Sequence, residues 1–235
     1  MMSDKKTVSP ECALCSVANR ACRMENGVGP TSCPTKNYKT TIEHAIKEYE
    51  KPAVREFAKM ASIQEAECYS DRHIKPYVLH PVKPRVQEIC EFAKKLPYKK
   101  LGIAFCAGLH QEAKALADIL KVQGFEVVSV ICKVGCTPKE TIGVKDDEKV
   151  RIGEFESMCS PIIQATLLNK EETDFNILVG LCVGHDSLFF KYSKAFTTVL
   201  VAKDRVLAHN PVGALYTVGG YYARLTRPGI DAKRD

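Results

Sequence analysis

Four short apolar runs constrain the fold of this chain more than any other feature of its sequence. Each of the first three is followed by a helical pattern, clearest in residues 109–122 and in the stretch that opens with Ser160 and Pro161. Strands that alternate with helices form a parallel sheet covered on both faces. We therefore predict an α/β domain with a Rossmann-like or flavodoxin-like parallel sheet built on LGIAF (101–105), FEVVSVI (125–131), NILVGL (176–181) and TTVLVA (197–202).

The chain divides into three segments by composition and periodicity. Residues 1–38 are rich in Cys, Gly and Pro without a regular period, which predicts a small cysteine-rich region organised by a metal. Residues 39–98 carry apolar residues at helical spacing and predict a helical segment that packs on the core. Residues 99–235 form the predicted α/β domain with a cysteine-lined crevice. Because no glycine-rich phosphate motif follows any strand, we do not expect a dinucleotide or P-loop nucleotide as ligand.

The cysteine count indicates a reducing environment. The chain has 11 cysteines in 235 residues, and an odd number at irregular spacing does not suggest a disulfide framework. The first residues, MMSDKKTVSPEC, lack the apolar core of a secretory signal, and no apolar stretch reaches the length of a membrane span. We therefore expect a cytoplasmic protein with no membrane partner. The net charge of +6 is spread along the chain without a basic run, so we do not expect nucleic acid as a partner.

Four cysteines near the N-terminus have the spacing C-x2-C-x6-C-x10-C, formed by Cys12, Cys15, Cys22 and Cys33. A C-x2-C pair holds one ion from a tight turn, and two further thiolates complete a tetrahedron. The region has too little apolar material to bury four unrelated thiols. We predict a metal centre at these four residues, and the spacing leaves open whether it is zinc or a 4Fe–4S cluster.

A second set of reactive side chains follows the predicted strands. The carboxyl ends of parallel strands meet at one edge of the sheet, and helices that follow strands begin at that edge with N-termini that favour thiolates and anions. We therefore predict one crevice that is either catalytic or holds a second metal or cluster. Its residues are Cys106, Cys132, Cys159, Cys182, His185, Asp186, Lys203, Asp204, Arg205 and His209.

The segments MCSPIIQATLLNK, GLCVGHDSLFFKYS and HNPVGALY, together with the N-terminal cysteines, resemble a family of uncharacterised metal-binding proteins. Its members occur in archaea and anaerobic bacteria and are described as having a zinc-ribbon-like cysteine motif. The resemblance implies metal binding at the four N-terminal cysteines and no established reaction. The ICKVG segment also resembles the family pattern at Cys132 and Lys133, whereas Cys136 has no place in that pattern.

These observations predict a metal-binding protein that acts as a metal- or thiol-dependent enzyme, with redox or sulfur chemistry favoured. The expected partners are a metal ion and a small anionic or sulfur-containing substrate. The alternative is a non-catalytic metal carrier, sensor or partner-binding protein, in which the strand-end cysteines capture and release a soft metal ion.

Overall fold

The structure is a computed structural model, and it describes residues 8–229. The chain divides into two compact units with the boundary between Glu67 and Cys68. The first unit contains the four N-terminal cysteines, and the second contains the sheet. The boundaries predicted after residues 38 and 98 stay predictions.

The first unit consists of short helices after an irregular cysteine-containing loop. Prolines at the start of two helices suit their positions, because the first turn of a helix leaves its N–H groups without intrahelical acceptors. The elements are a 3-10 turn at Cys12–Leu14, helix α1 (Pro34–Asn37), helix α2 (Lys39–Ile46), a 3-10 turn at Lys47–Glu50 and helix α3 (Pro52–Glu67).

The second unit begins with a two-residue antiparallel pair, β1 (Tyr69–Ser70) and β2 (His80–Pro81), before the α/β part. The larger elements follow as helix α4 (Arg85–Lys95), strand β3 (Lys100–Phe105), helix α5 (His110–Val122), strand β4 (Glu126–Ile131), helix α6 (Pro161–Lys170), strand β5 (Phe175–Val179), helix α7 (His185–Tyr192), strand β6 (Phe196–Val201) and helix α8 (Val212–Tyr216). Single 3-10 turns lie at Ala107–Leu109, Lys139–Ile142, Asp146–Glu148 and Ala223–Thr226.

The four long strands form one parallel sheet with the order β4-β3-β5-β6. The chain therefore runs outward from β3 to β4 and then crosses back to β5, which lies on the other side of β3. Such a reversal opens a crevice at the carboxyl ends of the two central strands. The predicted α/β class and its parallel sheet are confirmed, while the finer Rossmann-like or flavodoxin-like assignment stays a prediction. None of the helices in residues 8–229 combines the length and apolar composition that a bilayer crossing requires.

Both faces of the central strands are covered. Leu101 and Ile103 of β3 are fully buried, and so is Ala104, which points to the opposite face. Ala104 lies in register with Val130 of β4 and Leu178 of β5, and all three belong to a core cluster that includes residues of α6 and α7. This packing fixes the positions of the strand ends, where the predicted site lies.

The close packing of Gly102 against Asn176 predicts a measurable loss of stability on substitution. The two residues are register partners in β3 and β5, and a methyl group at residue 102 would overlap Asn176 Oδ1, which accepts a hydrogen bond from Thr173 Oγ1 (2.8 Å). We expect Gly102→Ala to lower the free energy of unfolding by about 2 kcal/mol, measured by urea denaturation. Gly213→Ala is the control, because a methyl there would meet Leu207 at ordinary contact distance. Equal effects of both substitutions would contradict the prediction.

Candidate thiol centre at the carboxyl edge of the sheet

Two cysteines directly follow adjacent strands and are held by the sheet's own hydrogen bonds. The N–H of Cys106 donates to Val179 O on β5 (3.1 Å), and the N–H of Cys132 donates to Phe105 O on β3 (2.9 Å). Each bond extends the ladder one residue beyond its strand, so both side chains leave the backbone at fixed positions. Cys106 and Cys132 therefore lie side by side at the carboxyl edge, as the sequence predicts for strand-end residues.

A third cysteine reaches the same place from a distant part of the chain. After the excursion over residues 137–157, the N–H of Ser160 donates to Cys132 O (2.7 Å) and brings the start of α6 against the strand end. This contact places Cys159 Sγ 3.9 Å from Cys132 Sγ. Cys132 also shares a hydrogen bond with Cys106, so its thiol is the middle member of a row of three. We call Cys106, Cys132 and Cys159 the thiol centre.

Burial differs along the thiol centre. Cys132 is 2% exposed and belongs to the core cluster, whereas Cys106 and Cys159 are partly buried and pack against that cluster. Solvent and any substrate therefore reach the outer two thiols more readily than the middle one. All 11 cysteines of the chain are free in the structure, so the three sulfurs are present as thiols or thiolates.

Positively polarised groups surround the thiol centre. Lys203 Nζ, from the loop after β6, donates to Cys106 Sγ (3.3 Å), and the backbone N–H of Ala107 donates to Cys132 Sγ (3.3 Å). The backbone N–H of Gly108 also donates to Cys106. Lys133 and His185 lie close enough to Cys159 to favour its thiolate. Such donors offset the cost of placing negative sulfur in a partly buried site.

These contacts separate the pKa values of the three thiols. The hydrogen bond from Cys132, with help from Gly108 N–H and Lys203, lowers the pKa of Cys106 to about 4 against the opposing effect of burial. The hydrogen bond from Cys132, followed by the charges of Lys133 and His185, lowers the pKa of Cys159 to about 6. The same two hydrogen bonds and burial raise the pKa of Cys132. Cys132 has a single S–H proton, so at neutral pH it donates to one neighbouring thiolate at a time.

Cys182 has a different partner from the other strand-end cysteines. It lies three residues beyond the end of β5, and the Arg205 guanidinium donates to its sulfur (3.0 Å). Lys203 and Arg205, two residues apart, thus each contact one cysteine, after β3 and β5 respectively. The site residues were predicted as one set, and the structure brings three thiols together and pairs the fourth with an arginine.

The two predicted aspartates stabilise turns. Asp186 accepts hydrogen bonds from the N–H groups of Gly184 (3.0 Å) and Ser187 (2.7 Å) at the start of α7. Asp204 accepts from the N–H groups of Val206 (2.9 Å) and Leu207 (2.8 Å). Both carboxylates therefore accept hydrogen bonds from nearby backbone N–H groups and stabilise the turns in which they lie. Their predicted catalytic role stays a prediction.

His209 is held in a turn of unusual backbone geometry. Its Nδ1 accepts the N–H of Asp204 (3.1 Å), and both Ala208 and His209 have positive φ angles, of 49° and 62°. Non-glycine residues in this region carry strain that the surrounding structure must offset. Accepting through Nδ1 leaves the proton of the neutral ring on Nε2.

The sequence analysis did not predict that two polar side chains, Ser160 just before α6 and Gln164 within it, are buried. Gln164 is fully buried, and its amide nitrogen donates to Phe105 O (3.2 Å) and Val130 O (2.7 Å), next to the ends of β3 and β4. Its amide oxygen and the Ser160 hydroxyl are buried without a hydrogen-bond partner. Ser160 precedes α6 as predicted, but its hydroxyl makes no capping bond. The sequence signal for Gln164 was a glutamine between the apolar residues of PIIQATLL.

The four N-terminal cysteines, in the first unit, line one cavity of about 170 Å³. Arg20 holds the loop around it by donating to Val17 O (2.8 Å) and Cys15 O (3.0 Å). A methyl group at Gly29 would lie 2.5 Å from Cys33 Sγ, so glycine is needed where the loop passes that sulfur. Four thiols are a donor set that suits a soft metal or a cluster, and two of them, Cys12 and Cys22, are exposed. Within residues 8–229, no three Cys, His, Asp or Glu side chains converge as they would around a single ion.

The pKa values of the thiol centre predict an ordered pattern of alkylation. Because the thiolate is the reactive form, Cys106 should react with iodoacetamide at nearly its full rate from pH 5, and the rate at Cys159 should rise through pH 6. Lys203→Met should raise the pKa of Cys106, and a rise of about one unit would lower its rate at pH 5 about twofold. Rates are measured by peptide mass mapping of the fully reduced protein.

Lys133→Met is the matched control for this experiment. It removes a positive charge near Cys159 and should raise the pKa of that thiol while leaving the profile of Cys106 unchanged. A Cys106 profile with the inflection of a free thiol in the unsubstituted protein would contradict the assigned contacts.

Comparisons with known proteins identify relatives of this chain. An uncharacterised protein of Methanocaldococcus jannaschii is 48% identical over 179 residues, which cover 76% of this chain and 85% of the relative. A crystal structure described as Dph2 from Pyrococcus horikoshii with a 4Fe-4S cluster is 20% identical, with a TM-score of 0.32. That match covers 61% of this chain but only 34% of the other, and a likeness this weak supports no conclusion about fold or function.

The family comparison covers the sheet and most of the predicted site. The matched residues, 33–200, include Cys33 and the thiol centre but end before Lys203 and Arg205. An archaeal relative agrees with the family expected from the sequence, whereas the zinc-ribbon-like motif stays a prediction. Because the match spans well over half of the chain, the protein belongs to the family described as "Protein of unknown function (DUF1847)".

Proposed function

We propose that this protein is a thiol-dependent redox enzyme in which Cys106 attacks an oxidised sulfur atom of the substrate and Cys132 completes the reaction. The observation that carries the proposal is the position of the buried Cys132 thiol between two sulfurs, one of which contacts a lysine ammonium group. An isolated buried cysteine is inert core material, whereas a thiolate next to a protonated thiol has the parts of a dithiol centre.

The first step assigned to Cys106 is a nucleophilic attack. Lys203 and the N–H of Gly108 stabilise the Cys106 thiolate, and its partial exposure leaves the sulfur open to a substrate. The thiolate forms a bond to one sulfur of a substrate disulfide-type bond, and the other sulfur leaves as a thiolate. The sulfur of Cys106 is thereby joined to the substrate.

The second step belongs to Cys132. Its thiol gives a proton to the departing thiolate and then attacks Cys106 Sγ, which releases the rest of the substrate and forms a Cys106–Cys132 disulfide. The substrate gains two electrons, and the two cysteines lose them. A dithiol reductant is needed to restore the centre for another turnover.

The charges near the thiol centre favour an anionic substrate. Lys203 and Arg205 come from the same loop after β6, and each contacts a cysteine at the sheet edge. Lys133 adds a third positive charge on the side of Cys159. Cations grouped around a crevice attract anions and orient them before reaction.

A separate proposal concerns the first unit. We propose that Cys12, Cys15, Cys22 and Cys33 bind zinc or a 4Fe–4S cluster. Their common cavity and the close passage of Gly29 past Cys33 support it. Zinc would supply structural cross-linking of a loop with little apolar material, and a cluster would add electron transfer.

Disulfide formation tests the redox proposal. Reduced full-length protein is titrated without oxygen with oxidised glutathione, free thiols are trapped by alkylation, and linked peptides are identified by mass. We expect one disulfide per chain within the thiol centre, none in Cys106→Ser, and a persistent glutathione adduct on Cys106 in Cys132→Ser. Cys136→Ser is the control, because the exposed Cys136 takes no part in the centre and should leave disulfide formation unchanged.

Two results would overturn the redox proposal. One is that Cys106 and Cys132 stay reduced while other cysteines oxidise. The other is iron with labile sulfide, or zinc, that the unsubstituted protein holds and Cys132→Ser loses, because the three thiols would then serve as metal ligands.

Metal content tests the N-terminal proposal. Protein purified without oxygen should contain about one zinc ion, or one cluster with labile sulfide, per chain. Cys15→Ser should lower that content severalfold, because it removes one of the four ligands, and Cys106→Ser should leave it unchanged. Elemental and sulfide analysis gives both values. Full metal content in Cys15→Ser and Cys33→Ser would exclude a centre at these residues.

A further inference from the structure

Three N–H donors converge on two neighbouring sulfurs of the thiol centre. Lys203 Nζ and the N–H of Gly108 donate to Cys106, and the N–H of Ala107 donates to Cys132 Sγ (3.3 Å). Ala107 and Gly108 belong to the short turn directly after Cys106. The turn and the lysine therefore form a positively polarised pocket in which an anionic sulfur atom is stabilised.

The charge that remains after the first step discriminates between substrates. If Cys106 attacks an ordinary disulfide, the product is an uncharged mixed disulfide, and Lys203 and Gly108 lose the charge that they stabilised. If Cys106 instead receives a single sulfur atom, the product is a persulfide whose terminal sulfur is an anion. Only the second product keeps these donors paired with a negative charge.

The burial of Cys132 favours a small transferred group. Cys132 is 2% exposed, and its attack on Cys106 Sγ must occur beneath whatever group Cys106 carries. The Ser160 hydroxyl and the Gln164 amide oxygen lie on the adjacent first turn of α6, buried and without partners. A lone sulfur is the smallest group that Cys106 could carry under these conditions.

From these contacts we infer that the substrate is a sulfane-sulfur compound, a persulfide or polysulfide, from which Cys106 takes one sulfur atom that leaves as hydrogen sulfide. This inference rests on the proposed redox function and names the substrate class of the same site.

The reaction balances in two steps. The Cys106 thiolate attacks the terminal sulfur of R–S–SH, a Cys106 S–S bond forms, the donor's S–S bond breaks, and R–S⁻ leaves. The Cys132 thiol then loses its proton to the terminal sulfur and attacks Cys106 Sγ, and hydrogen sulfide departs. The sulfane sulfur gains two electrons, which come from the two cysteines as they form a disulfide.

Cys159, the third thiol of the centre, takes part in a further step of this reaction. Cys159 Sγ is 3.9 Å from Cys132 Sγ. The Cys159 thiolate attacks Cys132 Sγ, forms a Cys132–Cys159 disulfide and frees Cys106 as a thiolate. This exchange changes no oxidation state and returns Cys106 as a thiolate, which can take up a second sulfur as a persulfide. That sulfur is released as sulfide only after a dithiol reductant has restored Cys132.

A single-turnover experiment on the reduced full-length protein tests the inference. Inorganic polysulfide is added without oxygen or reductant, released sulfide is measured against a protein-free blank, and the Cys106 peptide is analysed by mass after alkylation. Unsubstituted protein should release about one sulfide per chain, with a disulfide within the thiol centre. Cys132→Ser should retain one extra sulfur on Cys106 and release at least tenfold less sulfide.

Two further variants sharpen the result. Cys159→Ser should release sulfide once and end with the Cys106–Cys132 disulfide, whereas the unsubstituted protein should end with Cys132–Cys159. Cys136→Ser is the matched control and should behave as the unsubstituted protein. The sulfur retained by Cys132→Ser also shows that this variant is folded at the site.

The outcomes separate the inference from the function on which it rests. If oxidised glutathione forms a disulfide within the thiol centre but polysulfide yields neither sulfide nor a Cys106 persulfide, the substrate class is wrong and the redox function stands. If neither reagent oxidises the centre, both proposals fail. Sulfide release from Cys106→Ser at the unsubstituted rate would also overturn the inference.

Discussion

The thiol centre depends on two backbone hydrogen bonds that carry the sheet one residue past its strands. They run from Cys106 N–H to Val179 O and from Cys132 N–H to Phe105 O. Side chains on a free loop sample many positions, whereas these two leave the backbone where the ladder of β3, β4 and β5 sets them. The sheet thus places two sulfurs next to each other from residues far apart in the chain.

Three sulfurs in contact would repel one another if all were ionised, and the structure avoids this by unequal burial. Cys132, the most buried, keeps its single proton and donates to one neighbour at a time, and these hydrogen bonds together with burial raise its pKa. The pKa values of Cys106 and Cys159 fall because each accepts from Cys132 and lies near a cation. The single proton of Cys132 thus serves two neighbouring sulfurs in turn, and removing this thiol would affect both neighbours together.

Much of this arrangement could be predicted from the sequence, because it follows from strand ends. The apolar runs locate β3 to β6, and the rule that parallel strands end at one edge collects Cys106, Cys132, Cys182 and Lys203 there. The sequence could not show which cysteines touch. That depends on strand order and on the contact of Ser160 with Cys132, which joins residues far apart in the chain. It also could not show that the Asp186 and Asp204 carboxylates bond to nearby backbone, since many turns offer the same donors.

The buried polar groups at the start of α6 lower the stability of the fold, and one of them also holds the strand ends next to the thiol centre. An unpaired buried oxygen costs about 1–3 kcal/mol, and the Ser160 hydroxyl and the Gln164 amide oxygen are two such groups. The Gln164 side chain regains part of this free energy, because its amide nitrogen donates to both Phe105 O and Val130 O. These two hydrogen bonds fix the distance between the ends of β3 and β4. An apolar residue at position 164 would remove an unpaired oxygen but would also release the two strand ends. Since Cys106 directly follows Phe105, the spacing of the first two thiols depends on this amide, which makes Gln164 a positioning residue for the centre.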